Sequence, residues 1–194
     1  AGKSVCTSNK ELVAKHGPEL LEIARQGDIN YLFEASCGGG IPIIRPLNSS
    51  LTADEIDEIT GILNGTTNYI LTKMASDGSS FEDALKEAQD NGFAERNPEA
   101  DVEGYDACRK IAILASLISG QQVDFEDIYC EGITKITTED MDYARAMDMT
   151  IKLLAICKRD GDHLHAIVAP YLLGKEHPLY NVNDVFNAIF VHGN

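Results

Sequence analysis

The sequence has no apolar run approaching the roughly 20 residues that a membrane-spanning helix needs; even Ile111 to Ile118 ends at Ser119-Gly120. Base is scarce beside acid, with 16 lysines and arginines against 31 aspartates and glutamates and a formal net charge of −15. Such a balance repels phosphate backbones and anionic lipid, so neither nucleic acid nor a membrane is an expected partner. The basic residues stand among acids, as at Lys152, Lys158 and Arg159, and read as solvated surface. The five cysteines are an odd number without a CxxC pair, which excludes a disulfide framework and a zinc knuckle and fits a reducing cytoplasm. HExxH, GxGxxG, P-loop and GxSxG spacings are all missing, so a zincin, a nucleotide-binding loop and a serine nucleophile elbow have no support.

What is there suits a folded α+β domain. The 194 residues, 44% hydrophobic and 24% charged, can build a sizeable core. The chain opens Ala-Gly-Lys-Ser-Val without an initiator methionine or a signal-peptide pattern, which reads as the middle of a longer chain. A short strand near Val5 precedes a helix carrying Leu12, Val13, Leu20, Leu21 and Ile23. Tyr31 to Cys37 reads as a buried strand ending at Gly38-Gly39-Gly40, and Ile56 to Leu63 as a strand ending at Asn64-Gly65, after which Thr66 caps a helix. Ser80 opens a helix stopped by Asn91-Gly92, and a long helix from about Glu103 to Ser119 shows a broad apolar face. Thr138 starts another helix; Met149 to Cys157, a turn at 159–162 and His163 to Leu172 make a hairpin, and Val185 to Val191 is the last strand. The expected architecture is a mixed β-sheet covered by helices, built from non-adjacent strands.

Chemistry concentrates between Gly92 and Lys110. Asp106 and Lys110, four apart at the start of the long helix, share one face in the favourable acid-before-base order. A lysine beside carboxylates could shuttle a proton or polarise a carbonyl oxygen. Spacing alone favours an ordinary solvated pair, worth about a few tenths of a kcal/mol. The glycine triplet could turn carbonyls toward a cation, yet a plain turn explains it as well. His163 and His165 alternate onto one strand face as solvated residues, and Cys37 and Cys108 read as small buried hydrophobes.

The segments Ser8-Asn9-Lys10, FEASCGGGIPII (33–44), GILNGTTNYIL (61–71), EAQDNGFAE (87–95) and DVEGYDACRKIAILA (101–115) resemble, in order and spacing, the homoserine dehydrogenase family. The likeness continues through EGIT (131–134), IKLLAI (151–156), HPL (177–179) and NAIFVHGN (187–194). The resemblance implies that residues 1–30 are the tail of a dinucleotide-binding domain and 31–194 a catalytic, substrate-binding and dimerisation domain. It implies NAD(P)-dependent interconversion of L-homoserine and L-aspartate 4-semialdehyde, on the route to threonine, methionine and isoleucine, by a cytoplasmic homodimer. Lys110 and Lys10 match lysines that handle the substrate oxygen's proton, and Asp106 the acid grouped with Lys110. Glu95, Asp101, Gly65, Thr66 and Phe93 match substrate-binding positions, and Asn9 with Lys10 faces the cofactor, NAD or NADP. Glu34, Cys37, Gly39 and Ile41 match a site for a monovalent cation such as sodium, held mainly by backbone oxygens. Phe93 stands where the family commonly has tyrosine, and Asn97 where it has aspartate. Most of the cofactor site would lie outside this chain, which would then be inactive alone; the alternative is a non-catalytic acidic α+β interaction or regulatory module.

Overall fold

A computed structural model describes residues 2–51, 54–161 and 163–194. Its centre is a five-stranded mixed sheet in the order β4 (Tyr129–Cys130), β6 (His163–Gly174), β5 (Met149–Asp160), β3 (Ile56–Ile62), β7 (Ala188–Gly193). β5 and β6 form the expected hairpin, paired from Met149 opposite Gly174 to Asp160 opposite His163, so that Arg159 and Asp160, expected in the turn, belong to β5; Asp162, also expected there, lies outside the described residues. β3 is antiparallel to both β5 and β7, which makes a strand read early in the chain a central one.

The alternation of strand side chains divides the core in two. Ile151, Leu153, Ala155 and Cys157 of β5 join Ile59 of β3 in the main cluster, with α2 (Gly65–Asp77), α3 (Phe81–Asp90), α5 (Tyr105–Ser119) and α6 (Thr138–Ala146). Leu154, Ile62 and Leu173 point the other way and meet Leu179 from the loop between β6 and β7. The helix face read from the sequence is buried: Ala107, Cys108, Ile111, Ala112, Leu114 and Ala115 of α5 are each at most 2% exposed.

A smaller unit precedes this core. β1 (Val5–Cys6) and β2 (Tyr31–Leu32) are parallel, joined by α1 (Lys10–Gln26), which packs on α5. Leu12, Leu21, Ile23, Val5 and Leu32 remain exposed on it.

Several local expectations are corrected. The strand expected over 31–37 ends at Leu32, because Glu34–Ser36 turns as a 3-10 helix whose Glu34 carboxylate accepts the N–H groups of Ile44 and Arg45, both at 2.8 Å. α2 is capped by Asn64 rather than Thr66: its Oδ1 accepts the Thr67 N–H at 2.9 Å. The helix expected from Glu103 is split into α4 (Glu99–Val102) and α5, because Gly104 sits between them at φ 84°, where L residues are strained. The last strand is three residues later at its start, since Val182–Phe186 is engaged by α2. Lys152 is no surface residue; it is 1% exposed.

Candidate active site

The site forms where β3 ends and the first turns of three helices meet. Asp106, one residue into α5, is 4% exposed. Its Oδ1 lies 2.7 Å from Lys10 Nζ, and its Oδ2 lies 2.6 Å from Lys110 Nζ. One carboxylate therefore gathers two ammoniums that lie a hundred positions apart in the chain. Lys110 Nζ also donates to the Leu63 carbonyl at 2.7 Å, which ties it to the end of β3. The pair is not the solvated helix pair that spacing alone favoured, because Lys110 is as much a cross-chain clamp as an i, i+4 partner.

Asn64 completes the cluster and was missed as a site residue. Its Nδ2 donates to Asp101 Oδ1 at 2.7 Å and to Asp106 Oδ2 at 2.9 Å, while its Oδ1 caps α2. One side chain thus starts the helix and separates two carboxylates. The only sequence signal is its type, a preferred N-cap residue directly after a strand and before Gly-Thr-Thr.

The charges shift as this geometry requires. Burial opposes ionisation of Asp106, but the two ammoniums and the Asn64 amide outweigh it and hold the acid below the usual carboxylate range. The bond to Asp106 raises Lys10 against the opposing effect of burial, so its ammonium persists. Burial pushes Asp101 up, and the Asn64 bond only partly offsets that.

The remaining predicted residues fall into three places. Gly65 and Thr66 open α2, and Thr66 Oγ1 donates to the Phe93 carbonyl at 2.7 Å, bringing the two segments expected to bind substrate into contact. A Cβ on Gly65 would stand 2.6 Å from the Val185 carbonyl, so only glycine fits there. The Phe93 ring is 43% exposed and packs 5.0 Å from the Tyr69 ring. Glu95 is exposed, and among the described residues its carboxylate meets no partner; only its carbonyl is held, by Gln89. Asn9 caps α1 by accepting the Leu12 N–H, which places it beside Lys10.

The glycine loop lies behind α5. Cys37 Sγ contacts the Lys110 carbonyl at 3.5 Å, and burial pushes that thiol up to about 12. Gly38 and Gly39 take positive φ, and Ile41 N–H closes onto the Gly38 carbonyl at 3.0 Å. Among the described residues, the carbonyls of Cys37, Gly39 and Ile41 accept no protein hydrogen bond. No three histidine, cysteine, aspartate or glutamate side chains among the described residues are grouped to hold a metal ion.

Residues 42–194 match homoserine dehydrogenase. The chain belongs to the homoserine dehydrogenase family. It is 49% identical over 191 residues to a homoserine dehydrogenase of Bacillus subtilis, covering 98% of this chain and 44% of that protein. The solved homoserine dehydrogenase of Thiobacillus denitrificans superimposes with a TM-score of 0.95 at 42% identity, over 98% of this chain and 44% of that one. A hyperthermophilic archaeal homoserine dehydrogenase, solved in complex with NADPH, superimposes with a TM-score of 0.84 at 31% identity, over 98% and 55% of the two chains. The chain thus spans less than half the length of the curated relatives it matches. No helix among the described residues is long and apolar enough to cross a membrane.

Proposed function

We propose that this chain supplies the substrate-binding and proton-handling part of an NAD(P)-dependent homoserine dehydrogenase that interconverts L-homoserine and L-aspartate 4-semialdehyde, on the route to threonine, methionine and isoleucine. The observation that carries the reading is the convergence of Lys10 and Lys110 on the buried Asp106 carboxylate at 2.7 and 2.6 Å. In the reductive direction the aldehyde carbon receives hydride, and the oxygen gains negative charge as it does so. An ammonium fixed in place stabilises that charge without reorganisation and then gives up a proton, so that aldehyde, hydride and proton balance as the alcohol. Lys110 is assigned this role, Lys10 supports it, and Asp106 orients both.

The bound NAD(P) would donate or accept the hydride. Asn9 and Lys10 at the start of α1 fit the reacting end of that cofactor, since Lys10 keeps a 39% exposed side chain while touching the Asp106 cluster. Most of the cofactor's binding groups are assigned to a dinucleotide domain of which residues 1–30 are the tail. The parallel β1–α1–β2 unit and its exposed apolar residues support a small separate unit here, which runs on to Leu32, two residues past that boundary. Asp101 and Glu95 are assigned to the substrate ammonium, and Gly65, Thr66 and Phe93 to the wall around it.

The glycine loop is assigned a monovalent cation such as sodium. Its fit rests on the free carbonyls of Cys37, Gly39 and Ile41, hard oxygen donors suited to such an ion, while the Glu34 carboxylate is already committed to the Ile44 and Arg45 N–H groups. A homodimer in the cytoplasm is the assigned state. In support, the sheet face opposite the main core leaves a row of half-buried Ile167, Ile156 and Phe190 around buried Thr60, which a second copy could cover.

The test is steady-state turnover of homoserine by the full-length enzyme carrying Lys110→Ala. Loss of about 100-fold or more in kcat is expected for a proton-handling group. Turnover within about threefold of wild type would favour a non-catalytic module instead.

A further inference from the structure

Lys152 is the largest of the fully buried side chains, and no sequence feature marked it for a role. It lies in β5 beside Tyr171 of β6, under the loop that returns to β7. Its Nζ donates to the Val182 carbonyl at 2.6 Å, to Asn183 Oδ1 at 3.0 Å and to Asn68 Oδ1 at 3.1 Å. An ammonium has three protons, and all three are used. Among the described residues no carboxylate lies within ion-pair distance of it; burial pushes Lys152 down to about 8, the Asp184 charge offsets that only in part, and the ammonium is held by neutral oxygens.

The same acceptors lead to the candidate site. Asn68, itself 1% exposed, turns its Nδ2 to the Val182 and Phe186 carbonyls, both at 3.1 Å. Thr72, one turn further along α2, accepts the N–H of Asp184, whose φ of 55° is a strained value for a residue with a side chain. The 182–186 loop is therefore pinned at three points along α2. Between those points, Val185 brings its carbonyl against Gly65 at the start of the helix. Gly65 follows Asn64, whose amide spaces Asp101 from Asp106.

We propose that Lys152 is a positioning residue for substrate binding: through the 182–186 loop and Asn68 it fixes the Asn64-Gly65-Thr66 turn against the Asp101–Asp106–Lys110 cluster. This rests on the reading of that turn as the substrate wall. A buried charge without an ion-pair partner is costly, and the fold keeps it where three backbone and amide oxygens must stay in place for it to be satisfied. A neutral chain of similar length would leave the Asn68 and Asn183 oxygens without a donor and the Val182 carbonyl with Asn68 alone, which loosens the loop against Gly65. A displacement of about 1 Å is enough to disturb a bound substrate's alignment severely.

The test uses the full-length enzyme with Lys152→Met, Asn183→Ala and Thr66→Val, measured for homoserine and cofactor separately. Asn183 is exposed and contributes a single acceptor, so its replacement leaves folding intact even where Lys152→Met does not. Lys152→Met is expected to raise the homoserine KM about tenfold and Asn183→Ala about threefold, with the cofactor KM within about twofold of wild type. A purely structural role would instead lower the active fraction, and with it kcat, leaving both KM values alone. Unchanged homoserine KM in Lys152→Met and Asn183→Ala, with a raised one in Thr66→Val, overturns the proposal and spares the substrate wall. No change in any of the three overturns the wall itself, and a shift in Lys152→Met without one in Thr66→Val overturns the route through that turn.

Discussion

Replacing Asp106 by asparagine keeps the shape of the cluster's centre and removes its charge. Asparagine offers one oxygen and one NH2 group where the carboxylate offers two oxygens. Turned one way, its N–H atoms face Lys110 Nζ and Asn64 Nδ2; turned the other, they face Lys10 Nζ. At least one donor is thus aimed at another donor in a site where Asp106 is 4% exposed. Removing one partner of a buried pair costs about 3–5 kcal/mol. Lys10 is 39% exposed and water can recover its share, and the amide keeps one bond, so about 2–3 kcal/mol is the expected loss here. For a domain of this size that is a fall of roughly 5–10 °C in Tm. The sign of the pH dependence follows from the lowered acid: the native carboxylate binds a proton less readily than the unfolded one, so its contribution is present above the unfolded value and is lost as pH falls through the native one. The stability difference between wild type and Asp106→Asn should be flat between about pH 5 and 8 and shrink below about pH 4. Thermal melts of the chain across that range, with kcat of the full-length enzyme, measure both parts. A Tm within about 1 °C of wild type, or a difference that grows on acidification, would refute the reasoning.

Asn64→Ala removes the α2 cap and lets Asp101 and Asp106 face each other; a loss of about 1–2 kcal/mol in denaturant titration is expected, and no loss would deny Asn64 both tasks. Asp101→Asn should leave thermal stability at neutral pH equal to or above wild type, because burial already penalises the charged form, while the homoserine KM rises about tenfold; a stable variant with unchanged KM would remove Asp101 from substrate binding. Iodoacetamide at pH 8 should label exposed Cys6 and leave Cys37 untouched in the native chain, since burial holds the Cys37 thiol near 12; equal labelling in a mass spectrum would contradict the packing of the glycine loop on α5.

The fold was legible where a periodicity ran long enough. The apolar face of α5, the pairing of β5 with β6 and the capped start of α3 all follow from spacing, although the expected turn at 159–162 is shorter, with Arg159 and Asp160 paired in β5. The glycine loop misled, because the apolar run from Tyr31 to Cys37 looks like a strand while the Glu34 carboxylate, reaching ten residues ahead, bends it into a turn. In the site, the i, i+4 spacing pointed to Asp106 and Lys110, but spacing cannot see Lys10 or Asn64 arriving from elsewhere, and those contacts bury the pair. Lys10 was reached through resemblance alone. Lys152 escaped for the opposite reason: a lysine is scored as solvated by type, yet its neighbours Ile151, Leu153 and Leu154 belong to a strand buried on both faces. That context is readable in the IKLLAI run and would have placed it inside.

The charge arrangement also explains why a strongly acidic chain keeps two lysines at this point. Lys10 and Lys110 are balanced by Asp101 and Asp106, so the cluster as a whole is close to neutral although the chain carries −15. L-Homoserine, the proposed substrate, is a zwitterion with no net charge, and a site balanced in the same way would take it in without building up an uncompensated buried charge. The proposed reaction would then break the balance at one atom, where hydride arrival puts negative charge on the oxygen. Because Asp106 holds both ammoniums in place beforehand, that new charge meets fixed positive partners rather than water that must reorient. The balance also limits substitution: removing either lysine leaves an excess of buried carboxylate, and removing Asp106 an excess of buried ammonium. Asp106 should therefore be the position at which stability and turnover fall together, whereas Lys110→Ala, which leaves Lys10 on the carboxylate, should lose turnover by a much larger factor than it loses stability.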